Sequence, residues 1–372
     1  MNKKIKILHI ITGLKTGGAE IFVRDLINNM DKNFFDVSVL SLTPIGNVGE
    51  EICENRMRVY CIGSKFKFNP LLFLRLFVFL KKHKPNVVHT HLFHADILSR
   101  IVLIFFRKIK LVSTFHSTES GGKFRDLCLR ITKFIPDRTV AVSEAVKKEG
   151  EKRKILVKNT SVIYGGIDIK NFNKSYDKKK LRKKLNLLDN FLFICVGRLN
   201  KSKGYDVLIK SVADLNEKKI NFSVLILGEG EERGNLEIMI KEKGINNIYL
   251  VGNVDNVNEF LGASDVFLIM SRWEGLSLSL IEATVVGLPV IATRVGGIPE
   301  VLKNKKNSIL IEPNNWKNLS DSMFNLINMK KENLLDIDER GKNYVRKKFS
   351  IINTVDNYSS VYQDLIFNRT SF

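Results

Sequence analysis

The chain has 372 residues, of which 44% are hydrophobic, so it can form two domains of ordinary size, and its composition excludes a disordered protein. Its formal net charge of +21 leaves three kinds of anionic partner open: nucleic acid, an anionic membrane surface and phosphorylated substrates. Four cysteines lie far apart without a C-x-x-C pair, which predicts reduced thiols in a cytoplasmic protein and argues against a disulfide framework or a structural zinc site.

The first half of the chain alternates short apolar runs with amphipathic stretches. Its basic and then apolar start resembles a signal peptide, but Gly13 and Lys15 cut the apolar run short, so we expect a buried first strand and no secretion signal. A glycine loop follows this strand, and then a helix over residues 20–27. Strands are predicted at residues 6–11, 37–40, 87–89, 111–114 and 139–142.

The second half repeats this alternation. Because short strands alternate with helices in both halves, the chain is predicted to be α/β, with two doubly wound parallel-sheet domains whose strand ends face a central cleft. The second set of strands is predicted at residues 191–196, 223–227, 248–250, 266–269 and 289–292.

The boundary between the halves is predicted near residue 165, at the turn Tyr164-Gly165-Gly166, with a polar, lysine-rich stretch at residues 177–184 between them. The predicted domains are therefore residues 1–165 and 166–349. Residues 350–372 are expected to form one more helix that packs back on the N-terminal domain.

The glycine loop after the first strand contains Gly13, Gly17 and Gly18 and leads into a helix. Glycines allow the backbone to approach an anion, and a helix N-terminus offers N–H groups, so a phosphate cradle is one interpretation and a turn without a ligand is the other. The spacing does not match G-x-G-x-x-G, and the next strand ends in Leu42-Thr43 without an acidic residue, which argues against an NAD oxidoreductase.

Two cations follow the first strand of the second half. Arg198 and Lys203 lie on the loop that leaves this strand, where a parallel sheet meets its ligand. A forked guanidinium and a compact ammonium suit a diphosphate. Either cation alone would be read as ordinary surface charge, but their position and the glycine that follows favour a binding role.

A carboxylate pair, Glu274 and Glu282, gives the strongest signal. Glu274 is expected in a loop after a strand and Glu282 in the next helix, so they can contact different parts of one extended ligand. The helix start between them offers N–H groups to a phosphate, from Leu276, Ser277 and Leu278. Such a pair could also be glycosidase machinery, but that interpretation gives no role to the phosphate-binding surroundings.

From residue 17 to about residue 348 the chain resembles the retaining GT-B glycosyltransferases of the large bacterial family 4, which carry an E-x7-E motif. One departure is Tyr164-Gly165, where such enzymes usually have Pro-Asn; it concerns the hinge turn and no catalytic group. The resemblance rests on ordered matches at residues 17–20, 142–144, 166–168, 197–199, 203–204, 228–230, 274–282, 287–292 and 296–300.

The resemblance implies a GT-B fold, an acceptor-binding first domain and a nucleotide-sugar-binding second domain. It implies that Arg198 and Lys203 neutralise the leaving diphosphate, that Glu274 holds the transferred sugar, and that Glu282 holds the ribose. His116 would face the sugar and the acceptor. The remaining predicted donor-binding residues are Gly18, Gly197, Gly252, Asn253, Gly275, Leu276, Ser277 and Leu278.

Two patterns could suggest a metal. His89, His91 and His94 form H-x-H-x-x-H, and strand alternation places His89 and His91 on one face, but only Asp96 accompanies them. Asp336 and Asp338 mimic D-x-D in a charged helical tail. Cleft-lining structure and coincidence explain these patterns better, so we expect no metal and no cofactor.

The resemblance further implies a nucleotide-sugar donor, with a UDP-sugar favoured, and a polyprenyl-diphosphate-linked acceptor. Residues 65–84 are aromatic, leucine-rich and flanked by lysines, and residues 105–110 add a second basic-aromatic patch. The first stretch is too short to span a bilayer; it is either a core helix or a helix at an anionic membrane face.

The sequence thus predicts a retaining hexosyl- or N-acetylhexosaminyltransferase of bacterial surface polysaccharide synthesis. It would act in the cytoplasm, with peripheral association with the inner face of the membrane as a hypothesis. A transferase with a soluble acceptor is the alternative. A nucleic-acid-binding protein is favoured only by the charge, since no reader module is recognisable.

Overall fold

A computed structural model describes residues 4–63, 69–119, 121–303, 308–329 and 339–367, with side chains in the last stretch from residue 341. The described chain divides into two compact units. Unit 1 combines residues 1–167 with residues 349–372, and unit 2 comprises residues 168–348. The sequence placed the boundary at residue 165.

Unit 1 is built on a parallel sheet in the order β3-β2-β1-β4-β5-β6-β7. The order reverses direction between β1 and β4, as in doubly wound sheets, and this reversal is the point at which such sheets bind ligands. Its strands are β1 (Ile5–Ile11), β2 (Phe35–Ser41), β3 (Arg58–Cys61), β4 (Val87–His91), β5 (Lys110–Phe115), β6 (Arg138–Ala141) and β7 (Ser161–Val162).

Helices cover both faces of this sheet. Right-handed crossovers place α1 and α2 on one face and α3 to α6 on the other. The apolar core between the sheet and α3 and α4 includes Leu8, Leu76 and Val102. The helices before the boundary are α1 (Gly18–Asn28), α2 (Asn47–Glu54), α3 (Leu71–His83), α4 (Phe93–Leu103), α5 (Lys123–Thr132) and α6 (Glu144–Lys152).

Unit 2 has a parallel sheet in the order β10-β9-β8-β11-β12-β13, so its direction reverses between β8 and β11. The predicted α/β class with two doubly wound sheets is therefore confirmed. The strands are β8 (Phe191–Val196), β9 (Phe222–Leu227), β10 (Ile248–Gly252), β11 (Val266–Ile269), β12 (Val290–Thr293) and β13 (Ser308–Ile311).

The helices of unit 2 pack around a large buried cluster that includes Phe193, Leu208 and Met323. They are α7 (Ile169–Phe172), α8 (Lys178–Lys184), α9 (Tyr205–Glu217), α10 (Arg233–Glu242), α11 (Val257–Ala263), α12 (Leu278–Val286), α13 (Ile298–Val301), α14 (Trp316–Ile327) and α15 (Glu339–Lys348).

The lysine-rich stretch 177–184 lies inside the second domain, in agreement with the predicted bounds 166–349, although its composition resembles that of a segment between the halves. It forms α8, which belongs to unit 2 and begins at the N-cap Asp177. Arg182 is buried and donates hydrogen bonds to the carbonyl oxygen of Ala263 and to Asp265. The composition of α8 is polar, but this one buried cation holds the helix to the sheet.

A final helix, α16 (Ile351–Phe367), packs against α1 in unit 1. Gly166 approaches the chain that enters this helix so closely that a Cβ atom would lie 2.4 Å from the carbonyl oxygen of Ser350. The carbonyl oxygen of Tyr164 accepts a hydrogen bond from Thr354, and the ring of Tyr164 packs edge-on against Phe349. The turn that lacks the family's Pro-Asn is thus held by these contacts.

Candidate donor site and histidine cluster

The loop after β8 positions Lys203 at the reversal point of the unit 2 sheet. A short 3₁₀ turn over residues 201–203 ends at Gly204, which has a φ of +66°. A Cβ atom on Gly204 would lie 2.2 Å from the carbonyl oxygen of Met270, so only glycine fits there. This close approach brings the loop after β8 against the chain that leaves β11.

Lys203 and Glu274 meet at this point. The Nζ atom of Lys203 lies 2.5 Å from the Oε2 atom of Glu274, and both side chains are largely buried. The hydroxyl of Ser271 donates to the same oxygen at 3.1 Å. Because both hydrogen bonds use Oε2, the Oε1 atom is available to accept from a ligand hydroxyl.

The Glu274 loop is fixed by a second tight turn. Gly296 has a φ of +51°, and a Cβ atom there would lie 1.7 Å from the carbonyl oxygen of Glu274. The N–H of Gly297 donates to the carbonyl oxygen of Gly275. Thr293 donates to the carbonyl oxygen of Ser271. These backbone contacts set the position of the carboxylate before a ligand binds.

Helix α12 begins directly after this loop. Its N-cap, Ser277, accepts a hydrogen bond from the N–H of Leu280, and Ser279 donates to the carbonyl oxygen of Val196 at the end of β8. The helix start therefore lies beside the loop that carries Lys203. The first-turn N–H groups of a helix have no intrahelical partners and carry a partial positive charge, which suits a phosphate. Leu276 and Leu278 are half-buried at this start, and Glu282 is half-buried one turn further on.

Two predicted glycines, Gly197 and Gly252, both contact Gly228 through the backbone. A Cβ atom on Gly228 would lie 2.2 Å from the carbonyl oxygen of Gly197, and the N–H of Gly228 donates to the carbonyl oxygen of Gly252. The hydroxyl of Tyr205 also donates to the carbonyl oxygen of Gly197. Asn253 follows Gly252 directly, at the end of β10. The ends of β8, β9 and β10 thus approach one another at the backbone.

Arg198 stands next to Gly197, with an exposed side chain. The N–H of its neighbour Leu199 donates to the carbonyl oxygen of Glu229. The predicted C-terminal site residues therefore share one end of the unit 2 sheet, with a direct contact between Lys203 and Glu274. The other two predicted residues, Gly18 and His116, belong to unit 1.

In unit 1, Gly18 is the first residue of α1, and a Cβ atom there would meet no described atom within 4 Å. His116 follows β5, and its ring lies 5.2 Å from the ring of Phe22 on α1. Sequence reasoning placed both residues near strand ends, and the sheet brings them to the same edge through α1.

His116 ends a chain of histidines at the reversal point of the unit 1 sheet. Its Nε2 atom lies 3.0 Å from the Nδ1 atom of His91, and the Nε2 atom of His91 lies 3.0 Å from the Nδ1 atom of His9. His9 and His89 occupy paired positions on β1 and β4. Sequence reasoning grouped His89 and His91 with His94, whereas it is His9, brought in by strand pairing, that completes the cluster.

A second hydrogen-bond chain starts at His89. One ring nitrogen lies 2.6 Å from the hydroxyl of Tyr362, and the other lies 2.7 Å from the hydroxyl of Thr114. The hydroxyl of Thr114 lies 3.0 Å from that of Tyr358. Both tyrosines belong to α16, so this buried network connects the returning helix to the sheet.

Burial keeps these histidines neutral. Loss of hydration lowers the pKa of His9 from 6.5 to about 3 and that of His116 to about 4. The pKa values of His89 and His91 are also well below 6.5, through burial and then through neighbouring histidines. The cluster is therefore uncharged at neutral pH.

His9, His89 and His91 each place one ring nitrogen within 4.8 Å of the others. Three imidazole nitrogens are a ligand set that suits a transition metal. However, both nitrogens of His89 already have hydrogen-bond partners, and those of His91 face His9 and His116. The Nε2 atom of His9 is buried without a hydrogen-bond partner in the described part of the chain. Hydrogen bonds thus occupy most of the ring nitrogens that a metal would need. Asp336 and Asp338 lie outside the described residues.

Several residues of both sites were missed from the sequence. Ser271 precedes Glu274 by three positions and could have been proposed from that spacing, and Gly296-Gly297 after β12 signalled a tight turn. Tyr358 and Tyr362 lie four positions apart on one face of a helix, but nothing local indicates that Tyr362 pairs with His89, more than 270 residues earlier, or Tyr358 with Thr114.

Two family models match the chain in tandem. Residues 16–171 match "Glycosyltransferase Family 4", and residues 177–344 match "Glycosyl transferases group 1". A curated relative, the UDP-Gal:alpha-D-GlcNAc-diphosphoundecaprenol alpha-1,3-galactosyltransferase of Escherichia coli, is 27% identical over 80% of each chain. Another, the N-acetyl-alpha-D-glucosaminyl L-malate synthase of Bacillus anthracis, is 27% identical over 77% of this chain and 76% of its own length.

Solved structures share the fold. The Anabaena protein Alr3699/HepE, crystallised in complex with UDP-glucose, superposes with a TM-score of 0.85 at 21% identity, over 97% of this chain and all of that chain. The tandem family matches cover strands β2 to β13 and include the loops that carry Lys203 and Glu274. The chain therefore belongs to the family 4 glycosyltransferases with the GT-B fold.

Proposed function

We propose that this glycosyltransferase transfers a hexose or N-acetylhexosamine from a UDP-sugar to a lipid-linked saccharide, with retention of anomeric configuration, in bacterial surface polysaccharide synthesis. The observation that supports this best is the buried pair of Lys203 and Glu274 beside the start of α12. It combines a cation for a diphosphate with a carboxylate for a sugar in one place.

The chemistry of the reaction explains why both charges are needed. Breaking the anomeric bond builds negative charge on the leaving diphosphate and positive charge on the sugar ring. An ammonium has three donors, so Lys203 can keep its hydrogen bond to Glu274 and still bind a phosphate oxygen. Arg198 and the first-turn N–H groups of α12 add further positive potential.

Glu274 would hold the sugar rather than act as a nucleophile. Its Oε2 atom is occupied by Lys203 and Ser271, which leaves Oε1 to accept from adjacent sugar hydroxyls. Glu282, one turn into α12, would accept from the ribose hydroxyls. Gly252 and Asn253, near the Gly197 turn, would lie beside the nucleotide base.

Unit 1 would supply the acceptor side of the reaction, with His116 near the reacting sugar and Gly18 beneath the phosphates. A neutral imidazole, as the lowered pKa of His116 implies, can both accept and donate a hydrogen bond.

The UDP-sugar is supported by the nucleotide in the name of the E. coli relative and by the UDP-glucose bound to the Anabaena protein. The lipid-linked acceptor is supported by the diphosphoundecaprenol in the E. coli name. The B. anthracis relative, named for L-malate, supports the alternative of a soluble acceptor.

We further propose that catalysis needs no metal or other cofactor, because Lys203 and Arg198 offer fixed cations to the diphosphate. The protein would act in the cytoplasm at the inner face of the membrane. The described helices include no segment long and apolar enough to cross a bilayer. Nucleic-acid binding remains disfavoured, since Lys203 at the unit 2 site is paired with the carboxylate of Glu274, which would repel a nucleic-acid backbone.

A donor and acceptor panel tests this function. Thermal stabilisation is measured with UDP-glucose, UDP-galactose, their N-acetylated forms, GDP-mannose and ADP-glucose, and the best donor is then offered with a polyprenyl-diphosphate disaccharide or with soluble hydroxy acids. We expect stabilisation by a UDP-sugar and transfer to the lipid, with the α-anomer of the donor preserved in the product. Transfer only to a soluble acceptor would favour the alternative, and no stabilisation by any nucleotide-sugar would overturn the proposal.

A further inference from the structure

Helix α5 exposes an apolar stripe. Four of its outward side chains recur at the spacing of one helix face, and no described part of the chain covers them. Their exposed fractions are 70% for Phe124, 51% for Leu127, 72% for Ile131 and 76% for Phe134, which lies just past the helix end. The opposite face packs inward through Leu129. A stripe of large apolar side chains facing water is unusual on a soluble protein and indicates an interaction surface.

Two neighbouring segments carry the same feature. On α3, Leu72, Leu76 and Leu80 are buried, while Leu71, Leu74 and Val78 are more than half exposed on the opposite face. The described part of this segment, residues 69–84, therefore has a core face and an apolar outer face; residues 65–68 lie outside the described chain. Ile101 in the last turn of α4, and Ile104 and Phe105 directly after it, are also exposed.

These three segments form one surface. Helix α4 contacts both α3 and α5, and right-handed crossovers place all three on the same face of the sheet. The ring of Phe105 lies 6.1 Å from Phe73 and 6.0 Å from Phe77, both on α3. The guanidinium of Arg125 on α5 lies over the ring of Phe93 on α4. Of the 21 exposed large hydrophobic side chains in the described residues, ten belong to this surface.

Cations accompany the apolar side chains. Residues 69–138 contain thirteen Lys and Arg but only four Asp and Glu, an excess of nine positive charges. Three of the four carboxylates, those of Asp96, Asp126 and Asp137, form salt bridges within unit 1. Exposed cations stand beside each apolar segment: Lys81 and Lys82 on α3, Arg107 and Lys108 after α4, and Lys123 and Arg130 on α5.

We propose a docking surface for an anionic lipid bilayer, with the apolar side chains inserted among the headgroups. It consists of the outer face of α3, the C-terminal end of α4 and the exposed stripe of α5. Only the purpose of this surface depends on the proposed function: it would hold unit 1 at the membrane, where a lipid-linked acceptor is found. Interfacial helices combine an apolar face with flanking cations in this way, because burial of the stripe and attraction to anionic headgroups add together. A second copy of the chain would have to bring the same exposed cations against this surface, so charge complementarity favours the bilayer.

Vesicle flotation tests the surface. The full chain is floated with phosphatidylglycerol–phosphatidylethanolamine vesicles and, separately, with neutral phosphatidylcholine vesicles at low and physiological salt. We expect binding to the anionic vesicles that weakens with salt and little binding to the neutral ones. The variant Phe124→Glu/Ile131→Glu should bind anionic vesicles at least ~tenfold more weakly, since two charges replace inserted apolar groups.

A matched double variant controls for charge and exposure. Ile238→Glu/Ile352→Glu makes the same charge change at positions that are 58% and 61% exposed on α10 and α16, and should bind vesicles like the wild type. Circular dichroism melts establish that both variants fold. The proposal also requires the wild type to bind anionic vesicles more strongly than neutral ones. This comparison tests the proposal even if a variant fails to fold.

Three results would overturn the proposal: no preference of the wild type for anionic vesicles, equal loss of binding in both double variants, or a vesicle-free dimer that only the α5 variant breaks. Stabilisation by the UDP-sugar separates this outcome from failure of the proposed function. A chain that docks on vesicles but is stabilised by no nucleotide-sugar would refute the donor assignment alone, and a chain stabilised by a UDP-sugar that does not dock would refute the surface alone.

Discussion

The two units share a doubly wound sheet but treat the reversal point of that sheet in opposite ways. In unit 1 it is filled by neutral imidazoles, with His9, His89 and His91 joined to hydroxyls and to one another. In unit 2 it carries an ammonium and a carboxylate, Lys203 and Glu274. The same topology therefore supports a desolvated, uncharged network in one unit and a preorganised charge pair in the other.

The difference agrees with the proposed function of unit 2. A departing diphosphate would need fixed positive charge, and a carboxylate beside a largely buried cation offsets part of the desolvation cost of that cation. The histidines of unit 1 have no carboxylate among their hydrogen-bond partners in the described network, so they persist only as neutral rings. Unit 1 should be sensitive to pH and unit 2 to loss of a charge.

The largest effect is expected from acid, and it should separate the units. All six histidines of the chain lie in unit 1. Burial lowers the folded pKa values of His9, His89, His91 and His116, so the unfolded state binds more protons below pH 6.5, and stability falls as the pH drops from 6.5 towards 4. At pH 5 each buried neutral histidine should lower the free energy of unfolding by about 2 kcal/mol.

Hydrogen exchange at pH 7.5 and pH 5 measures this difference. Amides of β1, β4 and α16 should lose protection at pH 5, while those of β8 and β11 keep it. Burial alone would raise the pKa of the Asp265 carboxyl in unit 2, but Lys178 and Arg182 lower this pKa overall. The carboxyl therefore titrates only at more acidic pH. Equal loss of protection in both units would contradict the role assigned to the histidines.

A backbone change in unit 2 should come next in size. Gly296→Ala places a Cβ atom at 1.7 Å from the carbonyl oxygen of Glu274, at a positive φ, and should cost on the order of 3 kcal/mol and displace the carboxylate. Gly234→Ala on α10 is the matched change, since its Cβ meets no described atom within 4 Å. Urea unfolding should show a large loss for the first variant and a small gain for the second; similar midpoints would show that the Gly296 turn is not tight.

The smallest effect is expected from a chelator. If hydrogen bonds occupy the histidine cluster and cations serve the diphosphate, excess EDTA should leave both the melting temperature and the transfer rate unchanged. A fall in the melting temperature that zinc reverses would instead indicate a metal held by His9, His89 and His91.

The sequence predicted the fold class because apolar runs of strand length record burial directly. Residues 191–196 and 223–227, for example, correspond to the buried strands β8 and β9. Residues 177–184 lie inside the predicted second domain, but their polar composition did not reveal how α8 is attached, since that depends on Asp265, more than eighty residues later. The local sequence pattern therefore predicts which segments are buried, but it does not predict contacts between residues that are distant in the chain.

The same distinction applies to the candidate sites. The motifs predicted Lys203 and Glu274 as parts of one site because each follows a strand of a parallel sheet, but their direct contact depends on a Gly204 turn that no periodicity reveals. His9 was overlooked because only strand pairing brings it beside His89. The exposed stripe on α5 was also missed, since an amphipathic pattern does not say which face meets water.

The most direct test of the account compares two lysines on the same 3₁₀ turn. Lys203 contacts Glu274, whereas the side chain of Lys201 is exposed two residues earlier. With the UDP-sugar that stabilises the protein best, Lys203→Ala should lower turnover by roughly 10²–10³ while the fold is retained, and Lys201→Ala should leave turnover near wild type. Near-wild-type turnover of Lys203→Ala would contradict the assignment of the unit 2 pair to the leaving diphosphate.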